Sequence, residues 1–279
     1  MSELIQSDSS HNSFPAIIHP PQPVNYGVRT ELRSLSNLRE TAKPFNDIDV
    51  LEPMYAIAEC LNPYLESYDL VVADDTSGRL PAIFYWRLVN LARRDSGLPK
   101  AAIRFHNGST NADKAPLRLA EDVKTEGSRA LVITESIITG YRTMNAYAAA
   151  ANYYGEDSVD LATIGLEGSR LNIPGKLSRM GKGSNFFYGT VQRKITDAHL
   201  HHQPGGYKGV YGTMGSTPYS VTLASLEANR AVYRPAVTAA RKTADELAEI
   251  FYRLLRPETK HAKMGKKIRK VSRLVVSSS

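Results

Sequence analysis

"ALVITESIITGYRTMNAYAAAA", Ala130 to Ala151, passes from an apolar stretch through a polar knot into an alanine-rich run. Ala130–Thr134 has the length and composition of a buried strand, and the residues from about Arg142 to Tyr154 suit a helix. A plain strand-to-helix connection needs only a turn residue and a cap. This one holds Glu135, Ser136, Thr139, Gly140, Arg142 and Thr143 within ten residues. A carboxylate, several hydroxyls, a glycine and an arginine in that order suit an anion that also carries sugar hydroxyls.

Outward from that stretch the chain alternates strand-like and helix-like segments. A helix is expected from about Ile48 to Leu65, with Ile57, Leu61 and Leu65 at helical spacing and Pro63 ending or kinking it. "YDLVVA" (Tyr68–Ala73) reads as a strand, and Pro81 opens the helix "PAIFYWRLVNLARR", which Gly97 closes. "AAIRF", "VDLATIGL" and "FFYGTV" are further strands. A last helix follows, with Ala244, Leu247, Phe251 and Leu254 on one stripe. No internal repeat is present. Strands alternating with helices predict an α/β fold, a mostly parallel sheet with helices on both faces.

Composition bounds the chain more loosely. Its 279 residues are 42% hydrophobic and 23% charged, the balance of an ordinary soluble globular protein. No apolar run reaches the roughly 18 to 20 residues of a membrane helix, so no membrane partner is expected. The polar N-terminus lacks the order of a signal peptide, which makes the cytoplasm the default. The one cysteine, Cys60, excludes an intramolecular disulfide and reads as a small core residue. Residues 1–45, rich in Ser, Asn and Pro, read as an extended or partly disordered arm; 46–256 form the α/β domain. From Pro257 to Ser279 seven basic residues face only Glu258, so this tail carries +6 of the net +7. Such a tail suits nucleic acid or an acidic partner, or simply a solvated end.

In an open parallel sheet ligands bind beyond the carboxyl ends of the strands. Two such ends are chemically loaded here. In "VVADDTSGRLPA" (Val71–Ala82), Asp74, Asp75, Thr76, Ser77, Gly78 and Arg79 lie between a strand and a helix. Gly78 allows unusual backbone angles, loop N–H groups near a helix start cradle phosphate, and Arg79 offers a fork of donors. In the opening stretch, Glu135 is expected to leave the strand and accept hydrogen bonds from ribose hydroxyls. Thr139, Gly140, Arg142 and Thr143 would form a phosphate nest at the following helix N-terminus.

Together the two loops resemble the type I phosphoribosyltransferase family. That family's signature is an apolar strand, two acids, two or three small or apolar residues, then Thr-Gly and a further Thr. "VITESIITGYRT" follows it from Val132 to Thr143, and "VVADDTSGRLPA" looks like the pyrophosphate loop one βαβ unit earlier. The resemblance spans roughly Ile48 to Gly189. It implies a phosphoribosyltransferase-like fold, binding of phosphoribosyl pyrophosphate or a nucleoside 5′-monophosphate, and Mg²⁺ held by Asp74 and Asp75. It assigns Arg79 and Glu135 to catalysis, and Thr76, Ser77, Gly78, Thr134, Ser136, Thr139, Gly140, Tyr141, Arg142 and Thr143 to substrate. Two positions depart from the pattern: Thr134-Glu135 stands for the acidic pair, and Arg142 occupies the usual threonine position with Thr143 one residue late. The segment from His106 to Lys124 lies where the family has its mobile catalytic hood, and Tyr211 in "YGTMGSTPYS" could stack on a base.

Three alternatives accompany this reading. A non-catalytic nucleotide sensor of the same fold would grip nucleic acid through its tail. An Asp-nucleophile phosphatase would need an Asp-x-Asp spacing that the adjacent pair Asp74 and Asp75 lacks. His199, His201 and His202 would need Asp197 to complete a metal site. The oligomeric state is open, a homodimer included. One expectation concerns the tail: truncation from Pro257 leaves small-ligand binding intact but lowers nucleic-acid affinity and flattens its salt dependence, as charge-driven binding requires. Filter binding across a salt series reads this directly, and equal loss of phosphoribosyl pyrophosphate binding would place the tail in the pocket.

Overall fold

A computed structural model describes residues 16–37, 48–74, 78–106, 127–137, 141–167, 175, 177, 179–192 and 241–256. Its framework is a six-stranded sheet whose described pairings are all parallel. The strands are β1 (Ile17–His19), β2 (Tyr68–Asp74), β3 (Ala102–His106), β4 (Arg129–Ile137), β5 (Val159–Glu167) and β6 (Asn185–Gln192). Their spatial order is β1-β6-β5-β4-β2-β3. The helices are α1 (Tyr26–Asn37), α2 (Ile48–Leu61), α3 (Arg79–Asp95) and α4 (Tyr141–Tyr154), with residues 241–255 helical as α5. The α/β fold expected from the alternating pattern is therefore present.

The handedness of crossovers sorts the helices. The β2–α3–β3 unit steps toward one edge of the sheet, and β4–α4–β5 steps toward the other. Right-handed connections running in opposite directions put their helices on opposite faces. Accordingly Phe84 and Leu88 of α3 share a core with Leu51 and Met54 of α2, Leu247 and Phe251 of α5, and Val71, Leu131 and Ile133 of the sheet. Met144, Tyr147 and Ala150 of α4 share the other core with Leu70, Val72, Val132 and Leu161. Strand residues alternate between these cores with period two, as the pleat requires. Both faces are covered, which explains why the strands read as continuous apolar runs.

Local chemistry sets the boundaries. α2 ends at Leu61 and a short 3₁₀ turn, Asn62–Tyr64, follows, because Pro63 cannot continue the ladder. Gly97 sits at φ +73° just past α3, a conformation open to glycine without strain. The arm region differs from its sequence reading. Over 16–37 it supplies β1, which pairs with β6 through Ile17↔Asn185 and His19↔Phe187. It also supplies α1, whose Leu32 is fully buried. Its Ser, Asn and Pro content hid a single-stripe helix that needs few apolar residues because only one side meets the core.

The sheet breaks its pleat at one level across three strands. The β4–β5 ladder runs through Thr134↔Thr163 and resumes at Ser136↔Gly165, skipping Glu135 and Ile164. The β5–β6 ladder runs through Thr163↔Tyr188 and resumes at Gly165↔Thr190, skipping Ile164 and Gly189. Beyond this row the alternation changes phase: Ile137 joins the α4 core with Val132, and Leu166 joins it with Leu161. α2 presses on the break, since a Cβ at Gly189 would lie 2.5 Å from Pro53 Cβ and 2.7 Å from its carbonyl oxygen. Gly189→Ala is therefore expected to cost about 1–3 kcal/mol by overpacking. Urea denaturation reads the shift, and an unchanged midpoint would mean that α2 yields freely.

Candidate functional site

β2 and β4 lie side by side, with Ala73 opposite Ile133. The chain leaves β2 for β3's side and α3's face, and leaves β4 for β5's side and α4's face. Adjacent strands whose connections part in this way open a crevice at their carboxyl ends. Both loaded loops of the sequence thus start from one edge of the sheet, between Asp74 and Gly78 and between Ile137 and Tyr141.

Two helices begin at this crevice. α3 has Gly78 as its N-cap residue, with φ −80° and no side-chain cap. Neither α3 nor α4 has an acidic residue in its first turn. The first N–H groups of a helix lack intrahelical acceptors, and the dipole concentrates about half a positive charge there. With no carboxylate in either first turn, both ends favour an anion.

The predicted residues divide by placement. Asp75, Thr76, Ser77, Thr139 and Gly140 lie outside the described residues, as do residues 107–126, Tyr211, the histidines 199, 201 and 202 with Asp197, and the tail. Backbone positions put Asp74 at the end of β2, opposite His106 of β3, with Arg79 at the start of α3 and Ser136 within β4. Gly78 is buried. Thr143 is buried at 3% exposure beneath the first turn of α4, while Tyr141 is 58% exposed and Arg142 is exposed.

Two expectations need correction. Glu135 does not leave the strand: β4 runs on to Ile137, and Thr134 and Glu135 are each 1% exposed. β4 keeps its pairing with β5 on either side of Glu135, through Thr134↔Thr163 and Ser136↔Gly165, which holds this polar stretch in the sheet. His106 does not open the segment likened to a mobile hood; it is the last residue of β3 and 3% exposed.

Sequence reading missed a row of hydroxyls just before the pleat break. Thr134, Thr163 and Tyr188 sit opposite one another on β4, β5 and β6, all buried. The Thr163 hydroxyl donates to the Gly165 carbonyl at 2.8 Å and lies 3.4 Å from the Glu135 carbonyl. The available signal was one hydroxyl inside "VDLATIGL", which resembles the β-branched filler of any strand.

Among the described residues no three His, Cys, Asp or Glu side chains cluster to hold a metal. Mg²⁺ needs less from a protein: one or two carboxylates plus substrate phosphates suffice. Burial first, and then the charge of Glu59, push the thiol of the partly buried Cys60 up. Among the described residues no helix is long and apolar enough to cross a membrane.

The sheet's amino edge is polar but closed. Asp160, fully buried, accepts hydrogen bonds from Tyr68 Oη at 2.7 Å, Arg129 Nε at 2.9 Å and the Asn185 backbone N–H at 2.7 Å. Burial, and then the Asp160 charge, push the Tyr68 phenol well above its ordinary value. Burial is the largest influence on the Arg129 guanidinium and works against it, but the hydrogen bonds and charge of Asp160, with the nearby Tyr68 and Tyr64, together raise it overall. Nearby, Tyr154 donates to Asp69 at 2.6 Å.

No family model matches this chain, and no curated protein matches it. Among solved structures it is similar to the AQ2163 protein from Aquifex aeolicus, with 14% identity over 65% of this chain and 90% of that one, at a TM-score of 0.37.

The two edges differ in kind, and a substitution separates them. Asp160→Ala leaves Arg129 without its buried carboxylate and is expected to destabilise the fold by roughly 3–5 kcal/mol. Any ligand affinity at the carboxyl edge should stay within about twofold, since sites this far apart act independently. Denaturation together with calorimetry on the same sample checks both halves.

Proposed function

We propose that the crevice at the carboxyl ends of β2 and β4 binds phosphoribosyl pyrophosphate or a nucleoside 5′-monophosphate. There the protein transfers ribosyl 5-phosphate to, or from, a nitrogen nucleophile. One observation carries this reading: two acid-free helix N-termini reach adjacent strand ends from opposite faces. A ligand with anionic groups at both ends of a sugar suits two such anion sites on either side of a sheet edge.

In this reading the α4 end, with Thr139, Gly140, Arg142 and Thr143, takes the 5-phosphate. The α3 end, with Thr76, Ser77, Gly78 and Arg79, takes the pyrophosphate. Mg²⁺ on Asp74 and Asp75 supplies further neutralisation of that leaving group when bound. The bond from the anomeric carbon to the pyrophosphate oxygen breaks, its electron pair leaves with pyrophosphate, and the nitrogen lone pair forms the new bond. Donors fixed before the reaction stabilise charge that builds on the leaving oxygens. Holding sugar and nucleophile in line removes a further part of the barrier. Glu135 is buried in the unliganded chain. It would meet the ribose hydroxyls only when its cover parts, and its hydrogen bonds there would be strong because the surroundings are dry.

A second reading is favoured by the +6 of the tail: a nucleotide sensor without catalysis that holds nucleic acid. Release of pyrophosphate on incubation with phosphoribosyl pyrophosphate and candidate bases separates the two.

Calorimetry in Mg²⁺ tests the shared core. Glu135→Ala should weaken phosphoribosyl ligands roughly 10- to 150-fold through loss of charge-assisted hydrogen bonds. Arg142→Ala should weaken 5′-phosphorylated ligands more than the matching nucleosides. A doubly substituted protein that binds them normally would overturn the phosphoribosyl reading.

A further inference from the structure

The pleat break is positioned so that it governs how β4 ends. The skipped row, Glu135–Ile164–Gly189, lies immediately before the last residues of β4, and those residues aim the chain toward the crevice. Buried carbonyls beside an interrupted row need partners. Thr163 supplies one. Its hydroxyl bonds the Gly165 carbonyl at 2.8 Å, on its own strand past the break. The same oxygen lies 3.4 Å from the Glu135 carbonyl, across the break on β4. Thr163 is 1% exposed, and its ladder partners Thr134 and Tyr188 are also buried, so the hydroxyl is shielded from bulk solvent.

We infer that Thr163 is the positioning residue of the site: its hydroxyl locks the phase change of β4 and β5 and so fixes where β4 delivers Glu135, Ser136 and Ile137. It touches no ligand. Its effect on ligand binding rests on the phosphoribosyl reading, whereas its effect on the strand ends does not. Valine has nearly the shape of threonine but no hydroxyl, and serine keeps the hydroxyl but drops the methyl. The pair therefore separates hydrogen bonding from packing.

The experiment is residue-resolved amide hydrogen exchange on the full chain, comparing wild type with Thr163→Val and Thr163→Ser. In Thr163→Val the amides of 135–137 and 164–166 should exchange about tenfold faster, the scale of one lost hydrogen bond. Those of β2 should be unchanged, and Thr163→Ser should restore wild-type rates. Unchanged exchange at 135–137 would overturn the inference. Equal acceleration in every strand would overturn it too, because it would make Thr163 a general packing residue. Calorimetric titration of the same three proteins with phosphoribosyl pyrophosphate in Mg²⁺ should show weaker binding in the valine variant alone. A wild type that fails to bind would overturn the phosphoribosyl reading and leave the exchange result to decide the role of Thr163.

Discussion

The carboxylate of Asp160 is the constraint on which the sheet depends. It sits near the start of β5, out of solvent, and gathers donors from β2 (Tyr68), β4 (Arg129) and β6 (Asn185). Asn185 in turn bonds His19 at the carboxyl end of β1 at 2.8 Å, so one acid ties four strands at their amino ends and reaches a fifth through Asn185. A buried charge is tolerated only when paired and hydrogen-bonded, and here both conditions are met. Such a cluster specifies register as well as stability. Sliding β4 by one residue would remove Arg129 from Asp160 and turn the apolar set of the strand to the wrong core.

With the amino ends fixed, the carboxyl ends are free to differ. The extra residue Asp69 between the pairs Tyr68↔Arg129 and Leu70↔Ala130 marks a bulge in β2, and the Tyr154 bond to Asp69 anchors the end of α4 to it. At the other end the skipped row reverses the phase of β4, β5 and β6, and Gly189 lets α2 close on the break. The molecule thus has a stapled, polar, sealed edge and an opposite edge where two helix N-termini meet. Concentrating ionic bonds at the first leaves the dipoles at the second uncompensated by first-turn acids.

Much of this was legible in the sequence because it rests on local rules. Apolar runs bounded by polar turns gave β2, β4, β5 and β6, and helical spacing with Pro81 and Gly97 gave α3. Parallel order followed from the alternation of the two. The two loops of the proposed site were legible as composition, since Thr-Gly and Asp-Asp-Thr-Ser-Gly-Arg are unusual at strand ends. Hidden elements were those whose signal lies elsewhere. β1 has three residues and exists because β6 offers it an edge. α1 needs few apolar residues because only one of its faces meets the core.

The sequence by itself determined the class of fold, the positions of most strands and helices, and the two chemically loaded connections. Each depends on periodicity or composition within a dozen residues. Only the tertiary structure decided that Glu135 stays inside β4 and out of solvent, that His106 ends a strand, and that Thr163 faces the break. It also decided that Asp160, rather than any residue of the loops, collects the buried donors. These are facts of register between strands far apart in the chain. A single sequence records which residues can be buried, but not which partner will stand opposite them when they are.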